Sequence, residues 1–114
     1  MKLIYPVLTI IMAAAGFSAA TSSAADEIPT FHLTIKGHKF DTETLAIPAN
    51  TKFKLVVKNE DASAEEFDSM DLSREKVIPG GKSAEIALGP LKAGEYHFIG
   101  EYHAETAYGS LILK

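Results

Sequence analysis

The fold of this chain is indicated most clearly by its last two segments, GEYHFIGEYH at residues 94–103 and GSLILK at residues 109–114. Tyr96 and Phe98 alternate with Glu95 and His97, which is the two-residue period of a strand with one buried face. The segment LKAGEY at residues 91–96 also has the spacing of a tyrosine corner, in which a strand tyrosine bonds to upstream backbone in Greek-key sandwiches. These segments therefore predict the last hairpin of a β-sandwich.

The same period predicts further short strands upstream. Phe31, Leu33 and Ile35 alternate with polar residues and end at Gly37, whereas residues 59–66 form a polar loop and PGG at residues 79–81 forms a turn. The predicted strands cover residues 31–36, 45–47, 53–58, 67–72, 75–78, 84–88, 95–99 and 110–113. Short strands separated by turn signals, with no convincing helix, predict an all-β Greek-key sandwich.

The N-terminus predicts export. Lys2 precedes an apolar run that ends near Phe17, and SAA at residues 23–25 supplies the small residues of a cleavage site. The alternative is a membrane anchor, but the run is short for a hydrocarbon core of about 30 Å. We expect a cleaved signal peptide at residues 1–25, a single domain at residues 26–114 in the periplasm, and no membrane insertion after cleavage.

Charge and cysteine content narrow the classes of partner. The formal net charge is −4 and becomes one unit more negative when Lys2 is removed, which disfavours nucleic acid and anionic membranes as partners. The chain has 0 Cys, so it has no disulfide and no thiolate for a blue-copper centre. Any bound metal must use oxygen, imidazole or thioether ligands.

The order of these motifs resembles a cupredoxin. NEDASAEEF at residues 59–67, PGG at 79–81, LKAGEYHF at 91–98 and GSLI at 109–112 carry the resemblance across residues 31–114. More narrowly, EFDS at 66–69 with REK at 74–76 and GEYH at 100–103 is similar to cysteine-free cupredoxin-like proteins of bacterial iron uptake. That group resembles the cupredoxin portion of periplasmic iron-uptake proteins that work beside a high-affinity iron permease, so the resemblance implies that permease or another uptake component as partner.

The resemblance also implies roles for particular positions. Gly100 stands where a blue-copper protein would have its cysteine, His103 stands where the next histidine ligand would be, and Glu65 stands at the position of the first histidine ligand. Glu66 belongs to the motif of the iron-uptake group, in which Glu is frequent at the position of Asp68. The thioether ligand has no counterpart after His103.

The residue types predict a metal site without a thiolate. Carboxylate and imidazole ligands suit Fe, Mn, Zn or Cu(II) better than Cu(I), and hard oxygen ligands stabilise Fe(III) relative to Fe(II). The candidate cofactor is therefore an iron or copper ion, and no catalytic residue is assigned. The candidate ligands lie on two segments and form one site only if these segments converge. The first segment carries Glu65, Glu66, Asp68 and Met70, and the second carries Glu101 and His103, with Glu105 beside them.

Each candidate has a structural alternative. Acids in a loop are by default solvated, Met70 would ordinarily fill the core, and His103 would ordinarily be a hydrogen-bonded histidine. We expect His97 to face outward and His38 to lie on the surface. Glu75 is expected either in a salt-bridged strand edge or as a support for the carboxylates.

Three functions follow as hypotheses. The first is a periplasmic protein that binds iron, or copper used with it, and assists iron uptake by delivery or by Fe(II) oxidation for a permease. The second is a metal-free cupredoxin-like protein-interaction module. The third is an oxidase that turns over Fe(II) alone. The chain has no hydrolase or transferase signature, because the nucleophile, zinc-protease and phosphate-loop motifs are absent from its sequence.

Overall fold

Residues 27–114 are described by a computed structural model, so the predicted signal peptide at residues 1–25 lies outside the described residues. The described part contains a 3₁₀ helix at Glu101–His103 and strands that are numbered in chain order. The strands are β1 (Thr30–Lys36), β2 (Lys39–Phe40), β3 (Thr44–Ile47), β4 (Phe53–Asn59), β5 (Glu65–Ser69), β6 (Arg74–Ile78), β7 (Ser83–Leu88), β8 (Gly94–Gly100) and β9 (Tyr108–Leu113).

The strands form two mixed sheets. One sheet has the order β2-β1-β4-β7, and the other has the order β3-β9-β8-β5-β6. The β1–β4 and β3–β9 pairs are parallel and the other pairs are antiparallel. The chain passes repeatedly from one sheet to the other, since β3, β4 and β5 alternate between them. This architecture confirms the predicted all-β sandwich.

The core lies between the two sheets and is built by alternation along the strands. In β4, Phe53, Leu55 and Val57 are buried, while the residues between them are less so. Phe98 from β8 packs in the centre, with its ring centroid 4.8 Å from that of Phe40. Burial of each such side chain contributes about 1.5–3 kcal/mol, which stabilises a domain that has no disulfide.

The tyrosine corner predicted at residues 91–96 is present. The Tyr96 hydroxyl donates a hydrogen bond of 2.7 Å to the carbonyl oxygen of Lys92. This bond ties the entry of β8 to the preceding loop, and so fixes the strand that leads to Gly100 and the 3₁₀ helix.

Some predicted boundaries were wrong. Glu65 and Glu66 begin β5 and do not belong to a loop, because Glu65 pairs with Ile78 of β6 and this pairing overrides the low strand propensity of acids. The predicted strand at residues 67–72 ends at Ser69, and residues 70–73 form the turn to β6. The two-residue strand β2 and the 3₁₀ helix are too short to leave a period in the sequence.

The loop before β5 is organised by a buried amide. Asn59 Nδ2 donates to the carbonyl oxygens of Ser63 at 2.8 Å and Ile78 at 3.0 Å, and Asn59 Oδ1 accepts from Asp61 N at 3.0 Å. These bonds hold Asp61 in place at the end of the sandwich where the candidate residues lie.

Within residues 27–114, no helix has the length and apolar character that crossing a membrane requires.

Candidate metal centre

Strand β5 separates the candidate ligands by its alternation. Glu65, Phe67 and Ser69 are buried between the sheets, whereas Glu66 and Asp68 are only half-buried and lie on the outer face. Neighbouring residues of a strand point to opposite faces, so Glu65 and Glu66 do not share one site. The candidate residues therefore divide into an inner pair and an outer cluster.

The inner pair joins Glu65 to His103. The Glu65 side chain is buried, and its Oε2 lies 2.6 Å from His103 Nδ1. Its Oε1 accepts hydrogen bonds from the backbone N–H of Tyr102 at 2.9 Å and of Glu66 at 3.0 Å. With Glu65 ionised, Oε2 accepts a hydrogen bond from His103 Nδ1–H, and this pairing directs Nε2 away from the carboxylate.

Gly100 makes room for the inner carboxylate. A Cβ atom at this position would lie 2.7 Å from Glu65 Cδ and 2.8 Å from the Cβ of Ala107. Both neighbours are buried, so neither can move away freely. The carboxylate of Glu65 and a side chain at position 100 therefore exclude each other.

A third residue, His38, completes the inner end of the sandwich. Its ring stacks on that of His103 with a centroid separation of 3.5 Å and an angle of 11° between the planes. His38 is exposed, as the sequence predicted, but its contact with His103 was not predicted. It lies in the short turn between β1 and β2, which the sequence did not place near residue 103.

The outer cluster consists of Glu66, Asp68 and Glu75. Each offers a carboxylate oxygen, and these oxygens all lie within 4.8 Å of one another. Asp68 and Glu75 face each other directly in the antiparallel β5–β6 pair. Like charges in that position are unfavourable for a sheet, so a bound cation would relieve a repulsion that the fold otherwise retains.

Glu101 extends this cluster from the end of β8. Its pKa is raised above the ordinary value, first by a hydrogen bond to the Asp68 carboxyl and then by the negative charges of Asp68, Glu66 and Glu75. A group that is held near three other acids retains its proton more readily, because ionisation adds a like charge. Glu66, Asp68 and Glu101 of the predicted set are thus brought together.

Met70 does not fill the core. Its side chain is 90% exposed, because β5 ends at Ser69 and the turn carries Met70 away from the sandwich. It lines an open cavity of about 530 Å³ together with Asp68 and Glu101. A thioether is therefore present at the rim of the outer cluster.

His97 faces outward, which confirms the sequence interpretation. Its Nδ1 lies 3.0 Å from Asp71 Oδ2 and its Nε2 lies 3.3 Å from Glu95 Oε1. The backbone N–H and the ring of His97 both bond to Asp71 and lower the pKa of that carboxyl. Both ring nitrogens of His97 are thus paired, whereas within residues 27–114 Nε2 of His103 has no hydrogen-bond partner.

Sequence reasoning gave Glu75 only a supporting role and treated His38 as a surface residue. Glu75 could have been found from the hairpin, because a four-residue turn at residues 70–73 pairs residue 68 with residue 75. His38 left no comparable signal, since its neighbour lies 65 positions further along the chain and meets it only through the sandwich.

The comparison with known families agrees with this geometry. The family model described as the cupredoxin-like domain matches residues 8–113. The chain belongs to this family. An uncharacterized protein of Rickettsia prowazekii (strain Madrid E), RP394, is 42% identical over 89 residues, which cover 78% of this chain and 71% of the relative.

Solved cupredoxin structures share the fold at low sequence identity. Auracyanin A, a blue copper protein from Chloroflexus aurantiacus, has a TM-score of 0.65 and 15% identity, with 77% of this chain and 100% of auracyanin A covered. Amicyanin from Paracoccus versutus has a TM-score of 0.60 and 18% identity, with 82% and 94% covered. At these identities the likeness establishes the fold alone.

A blue-copper centre does not fit the residues of this chain. The sequence has no cysteine to supply the thiolate, and Gly100, the position that the resemblance assigns to it, is packed against Glu65. Both oxygens of Glu65 are already engaged by three hydrogen-bond donors. Any metal site in the described residues therefore differs from a blue-copper centre.

Proposed function

We propose that this chain is an exported metal-handling protein that binds iron, or copper used with it, and assists iron uptake by delivery or by Fe(II) oxidation for a permease. The observation that carries the metal role is the outer cluster, in which Glu66, Asp68 and Glu75 present carboxylate oxygens within 4.8 Å of one another. The role in iron uptake is supported by the resemblance of EFDS at 66–69 and REK at 74–76 to that group of proteins.

Hard oxygen ligands determine which ion the cluster prefers. Carboxylates favour iron over softer ions such as Cu(I), and they favour Fe(III) over Fe(II). An Fe(II) ion bound there would be easier to oxidise. The half-buried position of Glu66 and Asp68 leaves the site open to an incoming ion and to a receiving partner.

Glu101 makes metal binding at the cluster depend on pH. Because its pKa is raised by Asp68 and by the neighbouring acids, arrival of a cation favours the ionised form of Glu101. Metal binding at the cluster is therefore expected to strengthen as pH rises through the range in which Glu101 loses its proton.

Calorimetric titration with Fe(II) under anaerobic conditions tests the metal role. We expect the purified protein to bind Fe(II), and we expect Glu66→Gln and Asp68→Asn to weaken this binding by at least about tenfold, since each removes a charged ligand. Oxygen consumption after addition of Fe(II) then distinguishes oxidation from delivery.

Glu43→Gln is the matched control, because Glu43 is an exposed acid that is not part of the outer cluster. This substitution changes the net charge by the same amount and is expected to leave the affinity unchanged. Equal loss in the control and cluster variants would show general electrostatic attraction in place of a site. Absence of Fe(II) binding by the unmodified protein would reject the metal role of the cluster.

The second candidate is a metal-free interaction module, and one observation favours it. Met70 is 90% exposed beside a cavity of about 530 Å³, and exposed thioethers are frequent on protein-binding surfaces. If this function is correct, Met70→Gln impairs iron uptake in cells while Glu66→Gln does not. The opposite pattern supports the metal-handling function.

A further inference from the structure

We propose that His38 and His103 form a second metal site, separate from the outer cluster, for an imidazole-preferring divalent ion such as Zn(II) or Cu(II), with Glu65 as the positioning residue. This site goes beyond the proposed iron function, because it uses nitrogen ligands on the other side of strand β5. It can be present or absent independently of the carboxylate cluster.

The first support is the orientation of His103. Histidines that bind metals almost always donate their second ring N–H to a carboxylate or carbonyl, which fixes the tautomer and directs the other nitrogen at the ion. Glu65 Oε2 lies 2.6 Å from His103 Nδ1 and is itself held by two backbone N–H groups. This pairing turns His103 Nε2 away from Glu65, on a side chain that is 27% exposed.

The second support is the way in which the fold holds His38. This residue has a φ of 60°, a left-handed conformation that non-glycine residues rarely adopt. Asp61 accepts from the backbone N–H of Gly37 at 2.8 Å and of His38 at 2.9 Å, and Thr106 Oγ1 donates to the His38 carbonyl at 2.5 Å. The backbone is thus fixed at both ends, and it presents the exposed ring to His103.

The two rings are close enough to reach a shared ion after a rotation of His38. Their centroids are 3.5 Å apart, and two ligand nitrogens at about 2.0–2.1 Å from a tetrahedral Zn(II) are themselves separated by roughly 3.4 Å. Stacked rings hold their lone pairs in parallel planes, so binding requires the His38 ring to tilt toward the ion. Within residues 27–114, the ring of His38 has no hydrogen-bond partner, so no such bond resists this tilt.

The surroundings offer further ligands. A cavity of about 370 Å³ is lined by both histidines and by Glu101 and Glu105. Two imidazoles, with water in the remaining positions, are a donor set that Zn(II) and Cu(II) accept. Imidazole nitrogen binds these ions more tightly than Fe(II) or Mn(II), so the ions divide between the two sites by ligand type.

Titration with Zn(II), followed by proton–nitrogen NMR of the histidine rings, tests the site. We expect one ion per chain to shift the ring nitrogens of His38 and His103 and to leave those of His97 unchanged. Cu(II) is expected to give electron paramagnetic resonance with nitrogen couplings. His38→Asn removes the imidazole while keeping a residue that tolerates positive φ, and it is expected to weaken binding by at least about tenfold.

The controls separate this site from other sources of affinity. His97→Asn makes the same substitution at an exposed histidine and should have no effect. Glu66→Gln with Asp68→Asn should abolish Fe(II) binding and leave Zn(II) binding intact. Glu65→Gln should weaken Zn(II) binding by about 10–100-fold and change the His103 tautomer seen by NMR, which a purely structural role for Glu65 would not do.

Three results would overturn the proposal. The first is that the unmodified protein binds neither Zn(II) nor Cu(II). The second is that the His38→Asn variant binds these ions as tightly as the unmodified protein. The third is that the ring nitrogens of His97 shift in place of those of His103. Loss of Zn(II) binding in the Glu66 and Asp68 variant would assign the ion to the carboxylate cluster and leave the proposed function standing.

Discussion

The buried bond between Glu65 and His103 predicts strong energetic coupling between these two residues. Replacement of His103 by Ala leaves Glu65 Oε2 without a partner in a position where the side chain is 2% exposed. Leaving a buried hydrogen-bonding group unsatisfied costs about 1–3 kcal/mol when the group is neutral and more when it is charged, as the Glu65 carboxylate is. We therefore expect His103→Ala to lower the free energy of unfolding by about 3 kcal/mol or more.

The same substitution should cost less when position 65 is neutral. In Glu65→Gln, the amide oxygen can keep the two backbone hydrogen bonds made by Oε1, and no buried charge remains when His103 is removed. The loss is then that of one neutral hydrogen bond and some packing, about 1 kcal/mol. The coupling energy between the two positions is the difference, about 2 kcal/mol.

Urea unfolding of the unmodified protein, both single variants and the double variant measures this coupling. The pair Asp71 and His97 is the control, because its carboxylate–imidazole distance is 3.0 Å but both side chains are largely exposed. Exposed pairs contribute little, so the control cycle should show little coupling. A Glu65–His103 coupling no larger than that of the control would refute the view that the inner carboxylate depends on its imidazole partner.

Three further predictions follow from the same end of the sandwich. Gly100→Ala should destabilise the protein by about 1–3 kcal/mol, because the added Cβ would lie 2.7 Å from Glu65 Cδ. Glu65→Ala should reduce that penalty. Thermal unfolding of the two single variants and the double variant measures both effects. The pKa of Glu101 is raised in the folded protein, and its proton must leave when a cation binds. The Fe(II) affinity should therefore rise with pH through and above the ordinary titration range of a glutamate. Calorimetry should show a flatter pH dependence of this affinity for Glu101→Gln. The pKa of Asp61 is lowered, chiefly by the backbone N–H of His38. The stabilising effect of the Asp61 carboxylate is therefore complete above the unfolded pKa of 3.8 and is lost as pH falls through the lower folded pKa. Acid unfolding of Asp61→Asn should lack this part of the pH dependence of stability.

The strands with a clear period were predictable from local sequence. Phe31, Leu33 and Ile35 gave the first strand, and the tyrosine corner at Tyr96 gave the last hairpin, because burial of one face imposes a period of two. The start of β5 was not predictable in this way. Glu65 lies in a strand because it pairs with Ile78 and fills the space beside Gly100, and both are contacts with distant residues.

The candidate site shows the same limit. The sequence supplied the ligand types and the absence of a thiolate, and these exclude a blue-copper centre whatever the fold. It grouped Glu65, Glu66 and His103 in one site, since a segment interpreted as a loop has no defined faces. Strand alternation places Glu65 inward and Glu66 outward, so the sandwich separates them.

The sequence by itself determined the fold class and the available ligand types of this protein. It predicts an all-β chain without cysteine that carries carboxylate and imidazole side chains near its last hairpin. Tertiary structure alone decided which of these groups meet. The register of β5 with β6 set Asp68 opposite Glu75, and the closing of the two sheets brought His38 against His103. The physical reason is that local period reports which face of a strand is buried, whereas register and sheet packing depend on contacts between residues far apart in the chain.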